Sequence, residues 1–170
     1  MKNLANKITI IRICLVPVFM IFAYTNRHYL AFAVFVLASL SDFLDGYIAR
    51  NYNQISTFGK FTDPLADKVL VIAAMCYFIE IGRFGGWAVA LVCFREFAVS
   101  GLRLIAAQKN SIIAAGPYGK IKTVVTMIGI SAMFLFNVRF LDRIVMFAIV
   151  AVTLISGIDY FIKNKGVFDS

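Results

Sequence analysis

The sequence predicts an all-α, polytopic membrane protein with six transmembrane helices and both termini in the cytoplasm. Of its 170 residues, 61% are hydrophobic and 15% are charged, whereas soluble domains carry about 25% charged residues. The mean hydropathy is +0.85. Six spans of about 20 residues need about 120 residues, which leaves only short loops. We therefore expect a single membrane domain over residues 1–170, with no separate soluble domain.

Six hydrophobic runs mark the predicted helices. The first run follows Lys2 and Lys7 and also fits a signal peptide, but it contains Arg12 and lacks a clear small-residue cleavage site. We therefore expect it to be retained as the first helix. The runs cover residues 8–24, 29–49, 65–81, 86–106, 121–137 and 142–162.

Basic residues are distributed unevenly between the two ends of the predicted helices. With the N-terminus in the cytoplasm, 13 of the 17 Lys and Arg residues fall on or near the inner side, which is the positive-inside pattern of multi-pass membrane proteins. The net charge of +8 then indicates topology and contact with anionic membrane lipids. It does not indicate nucleic-acid binding, because the cations are scattered between spans. Four arginines would lie outside: Arg27, Arg83, Arg139 and Arg143.

Acidic residues concentrate in one stretch, "SDFLDGYIARNYNQISTFGKFTDPLADK" at residues 41–68. Four of the nine acidic residues lie in this stretch within a span of 26 positions. All four are aspartates: Asp42, Asp45, Asp63 and Asp67. Crowded carboxylates near a membrane repel one another and need a compensating cation. Ion pairs and helix caps in a cytoplasmic loop are one explanation. A site for a hard divalent ion, Mg²⁺, Mn²⁺ or Ca²⁺, fits the oxygen-rich set better, although the regular spacing of a calcium-binding loop is missing.

Helical spacing places these aspartates in two pairs. Asp42 and Asp45 are three residues apart at the inner end of the second helix, so they share a face. Asp63 and Asp67 are four apart and share a face if the third helix has begun. The sequence Thr62-Asp63-Pro64 is typical of a helix start and predicts that it has. Two helix ends joined by a short loop can then bring four carboxylates together.

Small and basic residues accompany the aspartates. Gly46 lies on the carboxylate face and Gly59 precedes Asp63 by four residues. Each leaves room either for a ligand or for close packing of two helices. Arg50 can bind a phosphate through two hydrogen bonds, or extend toward lipid phosphates. A divalent ion, a gap in the lining and a guanidinium together predict a site for a diphosphate.

The stretch can be written Asp42-x2-Asp45-Gly46-x2-Ala49-Arg50-x8-Gly59-x3-Asp63-x3-Asp67. It resembles the signature of the CDP-alcohol phosphotransferase family at every position and every gap. This resemblance implies six transmembrane helices, usually in a homodimer, with the active site at the cytoplasmic face of the cell membrane. It also implies a metal-dependent transfer of a phosphatidyl group.

Residue roles are implied by the same resemblance. The four aspartates look like the ligands of a centre with one or two Mg²⁺ or Mn²⁺ ions, and Asp67 also looks like the general base that takes the proton from the acceptor hydroxyl. No histidine is expected to compete for that role, because His28, the only one, is predicted on the opposite side of the membrane. The residues that look like the lining of the CDP pocket are Gly46, Ala49, Arg50 and Gly59.

Charged residues outside the signature are candidates for binding the acceptor. Arg95 and Glu96 fall near the middle of the fourth span, where charges are functional candidates by default, although Glu96 also fits a structural ion pair between helices. Arg103 lies about 80° round the same helix from Arg95 and about 12 Å along it. Lys120 and Lys122 begin the fifth helix, where they also fit topology and lipid contact. Two arginines and two lysines that face inward predict an anionic acceptor.

Three further segments resemble bacterial phosphatidylglycerophosphate synthases, a subgroup of this family: "NKITIIRICLVPVF" at 6–19, "REFAVSGLRLIAA" at 95–107 and "GKIKT" at 119–123. This second resemblance implies that sn-glycerol 3-phosphate attacks CDP-diacylglycerol, giving phosphatidylglycerophosphate and CMP. The residues expected to support the substrate site are Asn6, Thr9 and Arg12, which recur at intervals of three. The residues expected to hold the acceptor phosphate are Arg95, Arg103, Lys120 and Lys122.

Other acceptors and other functions stay open at this point. Inositol phosphate would also need the cations, whereas serine or inositol would not. An intramembrane prenyltransferase also binds Mg²⁺ and a diphosphate through aspartates, but it does not predict Ala49-Arg50 or Gly59 at these gaps. A small cation transporter would hold its acids near the bilayer midplane, whereas these aspartates are predicted near the inner interface.

Overall fold

The computed structural model describes the backbone of residues 4–52, 57–108 and 116–167, and the side chains of residues 10–41, 68–108 and 116–166. Six α-helices form the described part of the chain, and each of the six hydrophobic runs overlaps one of them. The predicted all-α class is therefore confirmed. The helices are α1 (Leu4–Tyr24), α2 (His28–Tyr52), α3 (Thr57–Glu80), α4 (Gly86–Gln108), α5 (Pro117–Leu135) and α6 (Arg139–Lys163), and a short 3-10 helix follows at Lys165–Val167.

The start of α3 differs from the prediction. The sequence Thr62-Asp63-Pro64 does not begin the helix, because α3 begins at Thr57 and Pro64 lies inside it. A proline removes one backbone N–H but holds φ near −65°, which is a helical value. The helix therefore continues through Pro64, as α1 continues through Pro17.

An aromatic cluster joins four of the helices at the centre of the bundle. Phe134 of α5 lies 4.7 Å from the ring of Phe78 and stacks on Tyr77 at 5.9 Å, both on α3. Phe19 of α1 meets the edge of Phe134 at 5.7 Å, and Phe35 of α2 lies 6.1 Å from Phe19. Such pairs contribute about 0.5–1.5 kcal/mol each beyond the burial of their surface. The cluster fixes α1, α2, α3 and α5 around one core.

Three chain reversals lie together at one end of the bundle. His28, at the start of α2, shares a 3.1 Å hydrogen bond between its Nδ1 and the hydroxyl of Tyr77. Gly82 turns the chain from α3 into α4 with φ at 71°, a left-handed value that favours glycine. Arg83 in the same turn donates to both carboxylate oxygens of Asp142, at 2.8 and 2.6 Å. This end therefore lies opposite the helix ends that carry the aspartate signature.

The outer face of α4 is apolar, whereas the face that it turns toward the bundle carries a charged residue. Phe94 and Phe97 are 73% and 71% exposed, whereas Glu96 between them is 7% exposed. This is the reverse of a helix on a soluble protein, which turns its apolar stripe to the core. Within the described residues, two helices, α5 and α6, are long and apolar enough to cross a membrane. Both features are typical of a protein that lies in lipid.

Candidate active site

The aspartate signature lies on two consecutive helices. Asp42 and Asp45 are on α2, and Asp63 and Asp67 are on α3, which begins six residues before Asp63 at Thr57. The third helix has therefore begun before Asp63, which was the condition for the second pair to share a face. Both pairs have the helical spacing that places two side chains on one side of a helix.

The side chains of the signature lie outside the described residues, so the metal ligands and the CDP pocket stay predictions. Among the side chains that are described, no group of three or more His, Cys, Asp or Glu could hold a metal ion. The donor chemistry of the signature fits Mg²⁺ or Mn²⁺, because aspartates at helical spacing offer the hard carboxylate oxygens that these ions prefer. The predicted residues concerned are Asp42, Asp45, Gly46, Ala49, Arg50, Gly59, Asp63 and Asp67, together with Asn6 and Thr9.

Arg12 places a buried cation beside the signature. This arginine of α1 is 1% exposed, and its Nε donates a 3.4 Å hydrogen bond to Ser41 Oγ. Ser41 immediately precedes Asp42, and its own hydroxyl donates to the carbonyl of Ala38 at 2.7 Å. A buried guanidinium needs anionic or polar partners. The contact with Ser41 places Arg12 beside the residue that precedes the signature, and its role in supporting the substrate site stays a prediction.

A cationic pocket of about 210 Å³ opens between α3, α4, α5 and α6. It contains all four residues that were predicted to hold the acceptor phosphate, so the structure brings together residues of α4 and α5 that are well separated in the sequence. Its volume is below the roughly 300–1,000 Å³ of sites for drug-sized ligands, which fits a small polar ligand. The lining residues are Lys68, Arg95, Glu96, Val99, Arg103, Gly116, Gly119, Lys120, Lys122, Thr123 and Tyr160.

Glu96 is the acidic residue of this lining, and it pairs with three cations. Lys122 of α5 donates to its Oε1 at 2.7 Å, and Arg95 donates to the same oxygen at 2.9 Å. Lys68 of α3 lies 3.7 Å from its Oε2 and also donates to Ser100 Oγ at 2.5 Å. The ion pair between helices that the sequence left open for Glu96 is thus present. Through Lys68, which follows Asp67 in the sequence, this group of ion pairs reaches the end of the aspartate signature.

Arg103 and Lys120 form a different side of the pocket. Arg103 Nε donates a 3.1 Å hydrogen bond to the hydroxyl of Tyr160, and its guanidinium carbon lies 5.4 Å from the centre of that ring. Lys120 has no hydrogen bond or ion pair with the part of the chain that the structure describes. Neither cation is paired with a described carboxylate. These two residues therefore offer uncompensated positive charge to an anion.

A glycine on α6 makes room for Arg95. A Cβ at Gly157 would lie 3.0 Å from Cγ of Arg95 and 3.7 Å from its Nε, so the arginine stem lies against bare backbone. The Nε of Arg95 is buried and has no hydrogen-bond partner among the described residues. A buried donor without a partner costs free energy. The close contact with Gly157 and the ion pair with Glu96 together fix the position of Arg95 in the pocket wall.

Three residues of this region are absent from the sequence prediction of the site. These residues are Lys68, Tyr160 and Gly157, none of which the sequence pattern singles out as a site residue. A tyrosine beside Asp159 near the end of the last apolar run was the available signal for Tyr160. Nothing in the sequence indicates that Gly157 contacts Arg95, because that contact depends on how α6 is rotated against α4.

A second cavity, of about 520 Å³, lies at the other end of the bundle. Arg83 in its lining is already bound to Asp142 and donates to the carbonyl of Phe136 at 2.7 Å. Aromatic side chains of the core, Tyr77 and Phe134, form part of its wall. It is larger than the cationic pocket, but it lies away from the signature, so it is not where the predicted chemistry takes place.

Comparison with known proteins agrees with the signature. A family model described as CDP-alcohol phosphatidyltransferase matches residues 2–155. A Bacillus subtilis protein named CDP-diacylglycerol--glycerol-3-phosphate 3-phosphatidyltransferase is 39% identical, with 96% of each chain covered. A Rickettsia typhi protein of the same name is 36% identical over 99% of this chain and 100% of its own. A Mycobacterium tuberculosis protein named probable phosphatidylglycerophosphate synthase is 36% identical over 93% of this chain and 79% of its own.

The family model covers most of the chain, and these relatives match nearly all of it. The resemblance first carried by eight signature residues therefore extends over the full bundle, including the helices that form the cationic pocket. This chain belongs to the CDP-alcohol phosphatidyltransferase family.

Proposed function

We propose that this enzyme transfers the phosphatidyl group of CDP-diacylglycerol to sn-glycerol 3-phosphate, giving phosphatidylglycerophosphate and CMP. The names of its relatives support the reaction. The observation that carries the choice of acceptor is the cationic pocket, which gathers five cations and one carboxylate. A small pocket with that charge favours a phosphorylated acceptor over a neutral or zwitterionic one.

The chemistry divides between the signature and the cationic pocket. The acceptor hydroxyl attacks the phosphorus that carries the diacylglycerol group, the phosphoanhydride bond breaks, and CMP departs. Asp67 takes the hydroxyl proton, and the cations of the pocket hold the acceptor phosphate so that the hydroxyl is oriented for attack. Lys68, which follows Asp67 and lines the pocket, links the two parts of the site.

We propose that Asp42, Asp45, Asp63 and Asp67 hold one or two Mg²⁺ or Mn²⁺ ions. Such an ion would supply positive charge against the diphosphate. Gly46, Ala49, Arg50 and Gly59 would then line the CDP pocket. Chelation with EDTA is expected to abolish CMP release, and added Mg²⁺ or Mn²⁺ to restore it. Undiminished turnover in EDTA would contradict the metal site.

We propose further that the six helices all cross the cell membrane, with both termini and the active site in the cytoplasm. The positive-inside distribution of Lys and Arg supports this topology. So do the exposed Phe94 and Phe97 on α4 and the length of α5 and α6. The family resemblance also suggests a homodimer. Labelling of single cysteines from each side of the membrane tests the topology, and crosslinking in the membrane tests the dimer.

The deciding experiment compares acceptors. Purified protein in detergent is given CDP-diacylglycerol and Mg²⁺ with glycerol 3-phosphate, inositol phosphate, inositol or serine in turn, and CMP release is measured. We expect release with glycerol 3-phosphate and none with inositol or serine. If release requires inositol phosphate, the cationic pocket would still bind the acceptor phosphate, but the acceptor would be inositol phosphate instead of glycerol 3-phosphate. Release that requires serine, with glycerol 3-phosphate inert, would overturn the proposed function.

A further inference from the structure

We propose that Glu96 is a positioning residue that divides the cationic pocket into a paired cluster, Lys68, Arg95 and Lys122, and an open pair, Arg103 and Lys120. The inference rests on the proposed function, because it assigns different roles to cations around the same acceptor. The open pair binds the acceptor phosphate directly. The paired cluster shapes the pocket and acts through Glu96.

The burial of Glu96 is the first step. Its side chain is 9% exposed, and the side chains of Arg95 and Lys122 are 11% and 12% exposed. Cations that are this buried and this close together repel one another unless a carboxylate lies between them. Glu96 is that carboxylate, with Lys122 at 2.7 Å and Arg95 at 2.9 Å from one oxygen. Without this carboxylate, repulsion by Arg95 would favour a Lys122 conformation that turns toward water.

The second step is the contact with α3. Lys68 Nζ lies 3.7 Å from Glu96 Oε2 and donates to Ser100, whose own hydroxyl donates to the carbonyl of Glu96 at 2.7 Å. One residue of α4 therefore holds a lysine of α3, an arginine of α4 and a lysine of α5. These three helices form three walls of the pocket, so the pocket keeps its width through Glu96.

The third step is the contrast with the open pair. Arg103 is held by a neutral hydroxyl, that of Tyr160, and Lys120 has no partner in the described part of the chain. The charge of the paired cluster is reduced by Glu96, whereas the charge of the open pair is not. A dianionic phosphate gains most from the cations that lack a carboxylate. Arg103 and Lys120 are therefore its direct ligands.

Binding of glycerol 3-phosphate, measured by calorimetry on detergent-purified protein with Mg²⁺, tests this division without requiring turnover. Lys120→Met is expected to weaken binding at least tenfold, and Glu96→Gln about fivefold, while Glu96→Asp keeps the charge and recovers part of the loss. Lys122→Met is the comparison for Lys120→Met, since both lysines are on α5, and it is expected to weaken binding no more than Glu96→Gln because Lys122 acts through Glu96. Melting temperature is measured for each variant, because a purely structural role would lower it without changing the dissociation constant.

Double variants separate direct from indirect action. The double variant Glu96→Gln with Lys122→Met is expected to bind no more weakly than whichever of its two single variants has the lower affinity, because Lys122 acts through Glu96. In Glu96→Gln combined with Lys120→Met, the two fold-changes are expected to multiply. The reverse pattern overturns the proposal, as does an unchanged dissociation constant in Glu96→Gln or an absence of binding by the wild type. A wild type that binds glycerol 3-phosphate but releases no CMP would instead overturn the proposed function alone.

Discussion

Arg103 Nε donates a 3.1 Å hydrogen bond to the hydroxyl of Tyr160, and its guanidinium carbon lies 5.4 Å from the centre of the same ring. Tyr160 is 5% exposed, so it is a fixed partner contributed by α6 to an arginine of α4. The contact holds the guanidinium at the pocket while leaving its charge uncompensated. One tyrosine thus restrains an arginine in two ways, through its hydroxyl and through its ring.

Tyr160→Phe is expected to raise the KM for glycerol 3-phosphate about fivefold. The substitution removes a hydrogen bond worth about 1 kcal/mol but keeps the ring under the guanidinium. CMP release at varied glycerol 3-phosphate measures the effect. Tyr118→Phe is the matched control, because the Tyr118 ring contacts Lys163 at 5.6 Å and is outside the lining of the cationic pocket. An unchanged KM in Tyr160→Phe would remove this contact from the acceptor site.

Gly157→Ala is expected to raise the KM for glycerol 3-phosphate several-fold with little change in stability. The new Cβ would lie 3.0 Å from Arg95 Cγ, so the arginine must shift within the pocket. Replacing a helical glycine by alanine returns up to about 1 kcal/mol of helix propensity, which offsets the strain. Titration of glycerol 3-phosphate in the turnover assay, together with a melting curve, measures both effects.

Gly129→Ala provides the opposite outcome and serves as the control for Gly157→Ala. Its Cβ would lie 2.7 Å from Val145 Cγ1, in the packed contact between α5 and α6. Overpacking of this kind costs about 1–3 kcal/mol, so the melting temperature should fall while the KM stays the same. If both glycine variants changed KM alike, the effect at position 157 would not come from Arg95.

The sequence predicts the parts of this molecule that depend on local periodicity. Hydrophobic runs locate the six helices, and spacings of three and four residues pair the aspartates along α2 and α3. The early start of α3 was not predicted, because a proline that fits the first turn also fits the interior of a helix at the loss of one hydrogen bond. The spacing of residues along one helix is a local property, which is why the sequence alone can predict it.

Contacts between helices could be predicted only in outline. Arg95, Arg103, Lys120 and Lys122 were expected to act together because of their charge and their resemblance to known segments. Their division into paired and open cations depends on where Glu96 lies among them, which is set by the rotation of α4 against its neighbours. That rotation follows from packing over the whole bundle. It cannot be derived from the spacing of residues within one helix.

Asp142→Asn is expected to lower stability by about 3 kcal/mol while leaving the turnover of folded enzyme unchanged. Asp142 is 2% exposed and binds Arg83 through both oxygens, which joins the α3–α4 turn to the first turn of α6. Removing one charge of a buried pair leaves the other uncompensated. Thermal unfolding in detergent measures the loss. A matching loss of turnover per folded molecule would show that this end of the bundle influences the active site.

Asp67→Asn is expected to abolish CMP release and to leave binding of CDP-diacylglycerol largely intact. Asparagine keeps the size of the side chain and one oxygen, so it can still serve as a weak ligand, but its amide cannot take a proton from the acceptor hydroxyl. A thermal shift on addition of CDP-diacylglycerol measures binding separately from turnover. Asp63→Asn, on the same face of α3, is the comparison: as a metal ligand alone it should weaken CDP-diacylglycerol binding as well as turnover. Equal loss of binding in both variants would assign Asp67 to the metal alone, and the base would then have to be another residue.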